Sequence, residues 1–438
     1  MTNKISDKYT VDFDKLSSDS ELLNNIRNDG MNKFLNIGLP TARKGNEKWK
    51  YTNIAPIAGI DFELPVHKDQ NDLDDIKKQI FSDNSWVNLI FIDGKFNPEL
   101  SDALDLESIS ISDLDSLIHD PSMAIDLEND LGSLIDLKEE GFAALNTAFL
   151  SDGIVIHVPE GVKFSKLINI VFFNSGEKNT VSYPRVLLKV GSSSDVSIME
   201  SYVGGSQNIS FTNSVSEIIL DKRARVKHYR ILDESDTTYD VGYGRVKLDE
   251  DSQFLSRSFY KGAAIGRYDL NVSIEGERGF CDLKGLYLTT GSQHMDNFIN
   301  IDHVAPSGKS NLLYKGILDD NSRAVFGGTV MVRQSAQKTD SIQSDKNLLL
   351  STNAEVDSKP SLFIYADDVK CAHGATAGNI DSETIFYMLS RGIDIETASK
   401  LLIYGFAGEI IDSVEIEELR DKLEAYFLNA LPDYKFEF

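Results

Sequence analysis

The feature that most constrains the fold is a turn pattern that repeats through the middle of the chain. Between about residues 151 and 372, strand-sized runs alternate with polar turns. In each repeat an apolar residue follows a cluster of charged, Ser or Gly residues and precedes an aromatic residue. These apolar residues are Val196, Val226, Phe254 and Phe280, at intervals of 30, 28 and 26 residues. A period of roughly 20 to 50 residues is typical of solenoids and propellers.

The length of this period favours a β-helix with two or three short strands per coil. Propeller blades of four strands usually need about 40 residues or more, so they fit the spacing less well. A large β-sandwich remains the alternative, because strand spacing alone does not exclude it. We therefore predict a mainly β chain with a β-helix core over residues 151–380.

Helical patterns flank this core on both sides. Residues 1–150 form a helical and mixed N-terminal domain, in which Ser20 is the expected N-cap of a helix that Gly30 weakens. Lys138–Phe149 is the short helix expected to close that domain. Residues 381–438 predict three helices, of which the second has Asp394 as its N-cap. Because these helices follow the end of a solenoid, we expect them to cap its last coil.

Composition narrows the classes of function. The chain has 44 basic and 69 acidic side chains, for a net charge of −25. Binding to nucleic acid or to an anionic membrane surface needs clustered Lys and Arg, so both are disfavoured. The polar N-terminal stretch and the absence of a long apolar run predict a cytoplasmic protein with no membrane partner.

Two features suggest an enzyme, of which the first fails on inspection and the second stays open as an alternative. Ser307–Ser310 reads SGKS, but a phosphate-binding loop needs a glycine where His303 stands and a helix where strand-like sequence follows, so we expect no nucleotide on this chain. A polysaccharide-active β-helix enzyme needs carboxylates gathered on one face of neighbouring coils. Candidate carboxylates, among 69 acidic residues, include Asp240, Asp249, Asp282 and Asp296.

For His294 and His303 we expect hydrogen bonds in a turn or in the core.

Cys371 and His373 form the most informative pair in the chain. In an extended backbone, residues two apart point to the same face, so the thiol and the imidazole would lie side by side. Both groups bind iron and zinc, yet a complete site needs about four ligands. The only other cysteine is Cys281. Either the pair is structural, or it completes a site with ligands from another subunit.

At these residues the sequence resembles a known family. Ala366–Ile411, with KCAHGAT running into IFYMLSRGI, is similar to the C-terminal signature of the SufB/SufD family of iron–sulfur cluster assembly proteins, and closest to its SufD branch. The similarity extends upstream and includes Asn146–Val162 and the stretch GNEKWKYTNI. Two positions depart from the family pattern. Phe363 stands where a glutamate is frequent, and Ser307 stands where some relatives have cysteine.

The resemblance implies a right-handed parallel β-helix between an N-terminal region and a C-terminal helical domain. It also implies a heterodimer with a SufB-like paralogue and docking of a SufC ATPase on the C-terminal helices, for which we select Leu401, Leu402, Phe406 and Ile410. In the family, the histidine of the C-x-H motif lies at the SufB–SufD interface, and His373 occupies that position with Cys371 before it. A transient iron–sulfur cluster at this interface and a reduced flavin in the complex are implied as cofactors.

Our interpretation is a SufD-like scaffold subunit that is not itself an enzyme. One alternative is a SufB-type paralogue that carries the principal cluster itself. The alternative from another class is the polysaccharide-active β-helix enzyme.

Overall fold

The computed structural model describes residues 2–16, 18, 20–41, 46–65, 73–119, 127–176 and 178–431. The helices are α1 Thr2–Phe13, α2 Glu21–Ile37, α3 Ala55–Ala58, α4 Leu73–Gln79, α5 Leu114–His119, α6 Leu127–Asp130, α7 Gly141–Ala148, α8 Ser382–Ser390, α9 Ile395–Ile411 and α10 Glu417–Ala430. The strands before the regular repeats are β1 Val87–Ile92, β2 Lys95–Phe96, β3 Asp105–Leu106, β4 Ile109–Asp113, β5 Ile154–Val158, β6 Lys163–Asn174, β7 Thr180–Ser182 and β8 Arg185–Val190. The strands of the repeats are β9 Asp195–Gly204, β10 Ser210–Leu220, β11 Arg225–Glu234, β12 Thr238–Leu248, β13 Gln253–Lys261, β14 Ile265–Ile274, β15 Phe280–Thr289, β16 His294–His303, β17 Lys309–Leu318, β18 Arg323–Val332, β19 Asp340–Leu349, β20 Glu355–Ile364 and β21 Lys370–Gly378.

The repeats form a parallel β-helix with two strands per coil, which confirms the predicted core. Sheet A runs from β5 through β8 and the even-numbered strands to β20, and sheet B runs from β6 through the odd-numbered strands to β21. Each strand pairs in parallel with the equivalent strand of the next coil. The interior is packed with side chains from both sheets. In the middle of the core each strand has a hydrogen-bonded neighbour on both sides, so its backbone N–H and C=O groups are satisfied.

The register confirms most of the predicted repeat and corrects one position. Val196 pairs with Val226, and Val226 with Phe254. The next residue in this column is Cys281, because Phe280 pairs with Gln253 instead. Since a shift of one residue exchanges the two faces of a strand, the fully buried interior residue is Cys281, not Phe280.

The N-terminal region covers the outer face of sheet A and closes the first coil. Its strands β1 and β4 join the sheets beside β6 and β5, so part of residues 1–150 belongs to the β-helix. Ser20 caps α2 as predicted, through the amide of Leu23. Gly30 has a packing role that the sequence did not reveal, because a Cβ there would lie 2.6 Å from the backbone nitrogen of Ala148 in α7.

The three C-terminal helices form as predicted, with Asp394 capping α9, but they do not cap the last coil. They pack against the outer face of sheet B, where α9 contacts β15 and β17. Buried Leu286 and Ile317 from the sheet meet Ile403 and Ile410 from the helix. The expected cap was wrong because the outer face of sheet B carries a continuous apolar column that needs cover along its length.

Candidate functional site at the open end of the β-helix

The last coil, formed by β20 and β21 and here called the terminal coil, is not covered by any element that the structure describes. Of the strands that the structure describes, only β18 pairs with β20 and only β19 pairs with β21, so each has one free backbone edge. Most side chains of both strands are exposed or half-buried. An unpaired edge is a template for another strand. The opposite end, here called the closed end, differs, since each sheet finishes there in a two-residue antiparallel strand, β2 or β3.

Cys371 and His373 lie on β21, at the mouth of this open end. Cys371 pairs with Ser341 and His373 with Gln343 on the strand below. Ser341 and Gln343 are interior residues, so Cys371 and His373 continue two interior columns past the last covered coil. The structure thus confirms that they share one face of a strand. Cys371 is half-buried, whereas His373 is exposed.

The two cysteines differ in availability. Burial, and then the nearby carboxylate of Asp340, raise the pKa of the Cys371 thiol, while the backbone amide of Ser341 acts in the opposite direction. Cys281 lies in the same column but is fully buried, and burial raises its pKa far more. At the mouth of the terminal coil, therefore, the Cys371 thiol and the His373 imidazole reach the surface. Within the described ranges, no three His, Cys, Asp or Glu side chains group to hold a metal.

Exposed apolar side chains surround the terminal coil. Ile342, Phe363, Ile364 and Tyr365 are 41–60% exposed, and they lie on β19, on β20 or directly after it. Phe363 points outward from sheet A, because its register partner Met331 is an exterior residue. Apolar side chains beside unpaired edges are typical of an interaction surface.

Two residues that the sequence did not single out lie just inside the mouth. Gln343 and Asp345 are interior side chains of β19 and are 1% and 0% exposed. Their register partners on β21 are His373 and Ala375. The side chain oxygens Oε1 of Gln343 and Oδ1 of Asp345 have no hydrogen-bond partner. Cys371 lies one coil after Ser341. Because alternate residues of a strand share a face, this relation would have placed Gln343 and Asp345 on the same interior face as Ser341.

The C-terminal helices present a second apolar surface. Phe386 and Tyr387 on α8 are 69% and 58% exposed, and Leu401 on α9 is 52% exposed. We call these three residues the helix patch. Leu402 and Phe406 are half-buried, and the Phe406 ring covers the ammonium of Lys315.

Ile410 does not belong to any surface. It is 0% exposed and packs between α9 and sheet B, so its assignment to a docking surface was wrong. The apolar spacing that suggested docking is the spacing of the helix–sheet contact.

The carboxylates that an enzyme of the β-helix class would need do not come together. Asp240 is inside the core beside Arg230, Asp282 pairs with Arg257 on the outside of sheet B, and Asp296 pairs with Arg267 on the outside of sheet A. The sites are separate, each has its own arginine, and Asp249 lies in a turn after β12.

The histidines and the SGKS motif behave as expected. His294 hydrogen-bonds Thr52 at 2.9 Å, and buried His303 hydrogen-bonds Ser310 at 2.9 Å. Ser307 lies in a turn with φ of 62°, and strand β17 begins at Lys309, where a phosphate loop would need a helix. No helix within the described ranges is long and apolar enough to cross a membrane.

Comparisons with known proteins agree with this architecture. Residues 172–406 match the model of the SUF system FeS cluster assembly, SufBD core domain, and residues 3–170 match the SufBD protein N-terminal region. A SufBD family protein of Synechocystis is 32% identical, covering 93% of this chain and 90% of the relative. The iron–sulfur cluster assembly protein SufD of Escherichia coli is 30% identical, covering 92% of each chain. SufD of Bacillus subtilis is 24% identical, covering 96% of each chain.

The two matching models together span nearly the whole chain, and the relatives align along most of their own lengths. The core model covers both the β-helix and the α8–α9 region that carries the helix patch. The chain therefore belongs to the SufB/SufD family of the SUF system for iron–sulfur cluster assembly.

Proposed function

We propose that this chain is the SufD-type scaffold subunit of a cytoplasmic SufBCD complex. The single observation that carries the proposal is the terminal coil, whose two strands each have one free backbone edge among the described strands and which is flanked by exposed apolar side chains. A SufB-like paralogue with a β-helix of its own pairs with these edges by sheet extension. The pairing removes two edges that would otherwise promote aggregation.

In this proposal the interface is where the nascent iron–sulfur cluster is built. His373 supplies an imidazole and Cys371 lies one side-chain position away on the same face. Since clusters held by one chain normally take four cysteines, the remaining ligands come from the paralogue. The cluster is cargo that leaves the site, and the chain acts as a scaffold without catalysing a reaction of its own.

The helix patch is the docking surface for the ATPase subunit. Phe386, Tyr387 and Leu401 offer exposed apolar area on two neighbouring helices, as a partner interface requires. Because α9 also packs against β15 and β17, movement of the ATPase is transmitted to sheet B, whose last strand carries His373.

Two alternatives have less support. A SufB-type role, with a principal cluster on this chain alone, needs several accessible thiols, and Cys281 is fully buried. A polysaccharide-active enzyme needs carboxylates on one face. Asp240, Asp282 and Asp296 instead lie apart, each in an ion pair with its own arginine, and Asp249 lies in a turn.

The test is cluster assembly by the reconstituted complex. The chain is co-expressed with a SufB-type paralogue and a SufC-type ATPase, and cluster formation is followed by absorbance and by transfer to an apo-ferredoxin. We expect all three chains to co-purify and His373→Ala to reduce assembly strongly without loss of folding. His157→Ala, a half-buried histidine in the first coil, is the matched control. Wild-type assembly by H373A, or failure to co-purify with the paralogue, contradicts the proposal.

Docking of the ATPase has a separate test. A double variant, Phe386→Ala with Leu401→Ala, is expected to lose the ATPase while keeping the paralogue. Leu35→Ala removes a leucine that is 44% exposed on α2 and is expected to keep both partners. Retention of the ATPase by the double variant would place the docking surface elsewhere.

A further inference from the structure

A cleft of about 930 Å³ lies on the outer face of sheet A. It is bounded by the strands β12, β14, β16 and β18 and by the segment 133–140 that precedes α7. Its volume is in the range that holds small organic ligands. Neither His373 nor the helix patch lines this cleft, so the function proposed above makes no use of it.

The floor of the cleft carries a row of neutral hydrogen-bonding side chains. Asn271, Asn300 and Thr329 are in-register neighbours on β14, β16 and β18. All three line the cleft and are half-buried, so part of each side chain is accessible from it. Because neighbouring strands are about 4.8 Å apart, the groups of the row have that spacing.

A hydrogen bond fixes the orientation of the two amides in the row. Nδ2 of Asn300 donates to Oδ1 of Asn271 at 2.7 Å. Nδ2 of Asn271 is then left as a donor and Oδ1 of Asn300 as an acceptor, and neither has another partner among the described residues. The Thr329 hydroxyl both donates and accepts. The row therefore presents preorganised, neutral hydrogen-bonding groups to a ligand.

The charged side chains of the cleft are already paired with one another. Eight of the nine that line it form four ion pairs: Lys48 with Glu139, Lys247 with Glu275, Arg333 with Asp302, and Arg245 with Glu140. The ninth, Asp136, is exposed and accepts a hydrogen bond from the backbone of Lys138. A charged ligand would have to compete with these pairs, whereas a neutral ligand leaves them intact.

Phe298 adds an aromatic surface beside the row. It lies two residues before Asn300 on β16, lines the cleft and is half-buried. Its in-register neighbour is Gly327, where a Cβ would lie 2.7 Å from the ring, so the ring packs over the glycine. An aromatic surface next to a few fixed polar groups is typical of a small-molecule site.

The spacing of the row separates two kinds of neutral ligand. Backbone groups on one side of an extended peptide repeat every two residues, at about 6.8 Å, which does not match about 4.8 Å. Hydroxyl groups both donate and accept, so a polyol can satisfy the free donor, the free acceptor and the hydroxyl of the row. A sugar ring also has an apolar C–H face that can pack on an aromatic ring.

We propose that this cleft binds a neutral polyhydroxylated ligand of mono- or disaccharide size. Asn271, Asn300 and Thr329 hydrogen-bond its hydroxyl groups, and Phe298 packs against its C–H face. The inference is independent of the scaffold role. The site binds without cleaving, because the carboxylates of Glu140 and Asp302 are both held in ion pairs with arginine.

The test is saturation-transfer difference NMR of the full chain, titrated with glucose, galactose, mannose and maltose. We expect saturable binding of at least one of these saccharides, and weaker binding of glucose 6-phosphate and of the blocked peptide N-acetyl-Ala-Asn-Ala-amide. Asn271→Asp removes the free donor and keeps the oxygen that Asn300 uses, and Thr329→Val removes the hydroxyl at constant shape. Each is expected to weaken saccharide binding about fivefold, the equivalent of one hydrogen bond.

Asn311→Asp is the matched control, since it makes the same change at an exposed asparagine of β17 in sheet B, and we expect it to bind like the wild type. Circular dichroism melts confirm that each variant is folded. The proposal is overturned if none of the four saccharides binds saturably, or if folded N271D and T329V both bind as the wild type does. Tighter binding of the peptide or of glucose 6-phosphate than of any neutral saccharide would also overturn it.

Discussion

Lys315 on the β-helix contacts the C-terminal helix α9, and replacing Lys315 with methionine should weaken the packing of the C-terminal helices on sheet B. The side chain lies on the outer face of β17 and is 6% exposed. Its ammonium donates to the backbone carbonyl of Phe406 at 2.7 Å, lies 2.7 Å from the carboxylate of Glu409, and is 4.8 Å from the Phe406 ring centroid. Lys315→Met keeps the length and the apolar stem and removes only the charge.

The magnitude follows from these three contacts. A hydrogen bond from a charged donor contributes about 1.5–3 kcal/mol. Glu409 is 53% exposed, so its ion pair contributes about 0–1 kcal/mol. The cation–π contact contributes about 0.5–1 kcal/mol, and burial of the methionine thioether offsets part of the total. We expect a net loss of about 2–3 kcal/mol in the docking of α9, with little change in the β-helix itself.

Hydrogen–deuterium exchange measures this loss locally. If α8–α10 open as a unit, amides of Ile395–Ile411 should exchange about 30- to 100-fold faster, because about 1.4 kcal/mol corresponds to a factor of ten. Lys346→Met is the control, since Lys346 is the register partner of Lys315 on the next coil and is half-buried. Unchanged exchange in K315M, or equal acceleration in K346M, would refute the role given to Lys315.

Three further predictions concern packing, thiols and pH. Gly30→Ala should lower the free energy of unfolding in urea by about 1–3 kcal/mol, because the added methyl group would collide with the backbone of α7. Gly405→Ala, with open space around it, should be neutral or slightly stabilising, and equal effects of the two variants would contradict the packing role of Gly30. A thiol reagent should label Cys371 alone in the folded chain, and more slowly than a free cysteine at the same pH because the pKa of the Cys371 thiol is raised. It should reach Cys281 only after unfolding, and rapid labelling of both cysteines would contradict the burial of Cys281. Burial lowers the pKa of His303 from its ordinary value to about 4, so the stability that comes from its neutral form is present above about pH 6.5 and is lost as the pH falls towards about 4. His303→Gln should therefore reduce the acid-induced fall in the free energy of unfolding by about 3 kcal/mol, and identical pH profiles of wild type and variant would refute this role.

The sequence was sufficient for the repeat and for the helix ends. The interval between Val196 and Val226 is a true coil, because apolar residues that follow each turn must face the interior. Ser20 and Asp394 cap helices as predicted, since capping depends on a local hydrogen bond that a short segment encodes.

Which face a residue occupies was harder to predict within the coils. Strands of this β-helix are buried on both faces, so Phe280 and Cys281 are both compatible with the interior by hydrophobicity. Only the register from the neighbouring coil decides between them. The same uncertainty concealed Asp345, whose interior position follows from pairing and not from its polarity.

Long-range packing accounts for the remaining errors. α9 is apolar on most of its surface, so spacing did not separate buried Ile410 from exposed Leu401. The position of α8–α10 along sheet B depends on the apolar column that the outer face presents, which no local pattern in the helices records. For that reason the open terminal coil, which defines the candidate site, became evident only in three dimensions.

The most direct test of the central claim is hydrogen–deuterium exchange of the chain with and without its SufB-type paralogue. If the terminal coil is the shared interface, amides of Glu355–Ile364 and Lys370–Gly378 should become strongly protected in the complex, because the edges pair with strands of the partner. Amides of β5 and β6 at the closed end should exchange at unchanged rates. Protection confined to the closed end or to the helix patch, with free exchange across β20 and β21, would contradict the claim.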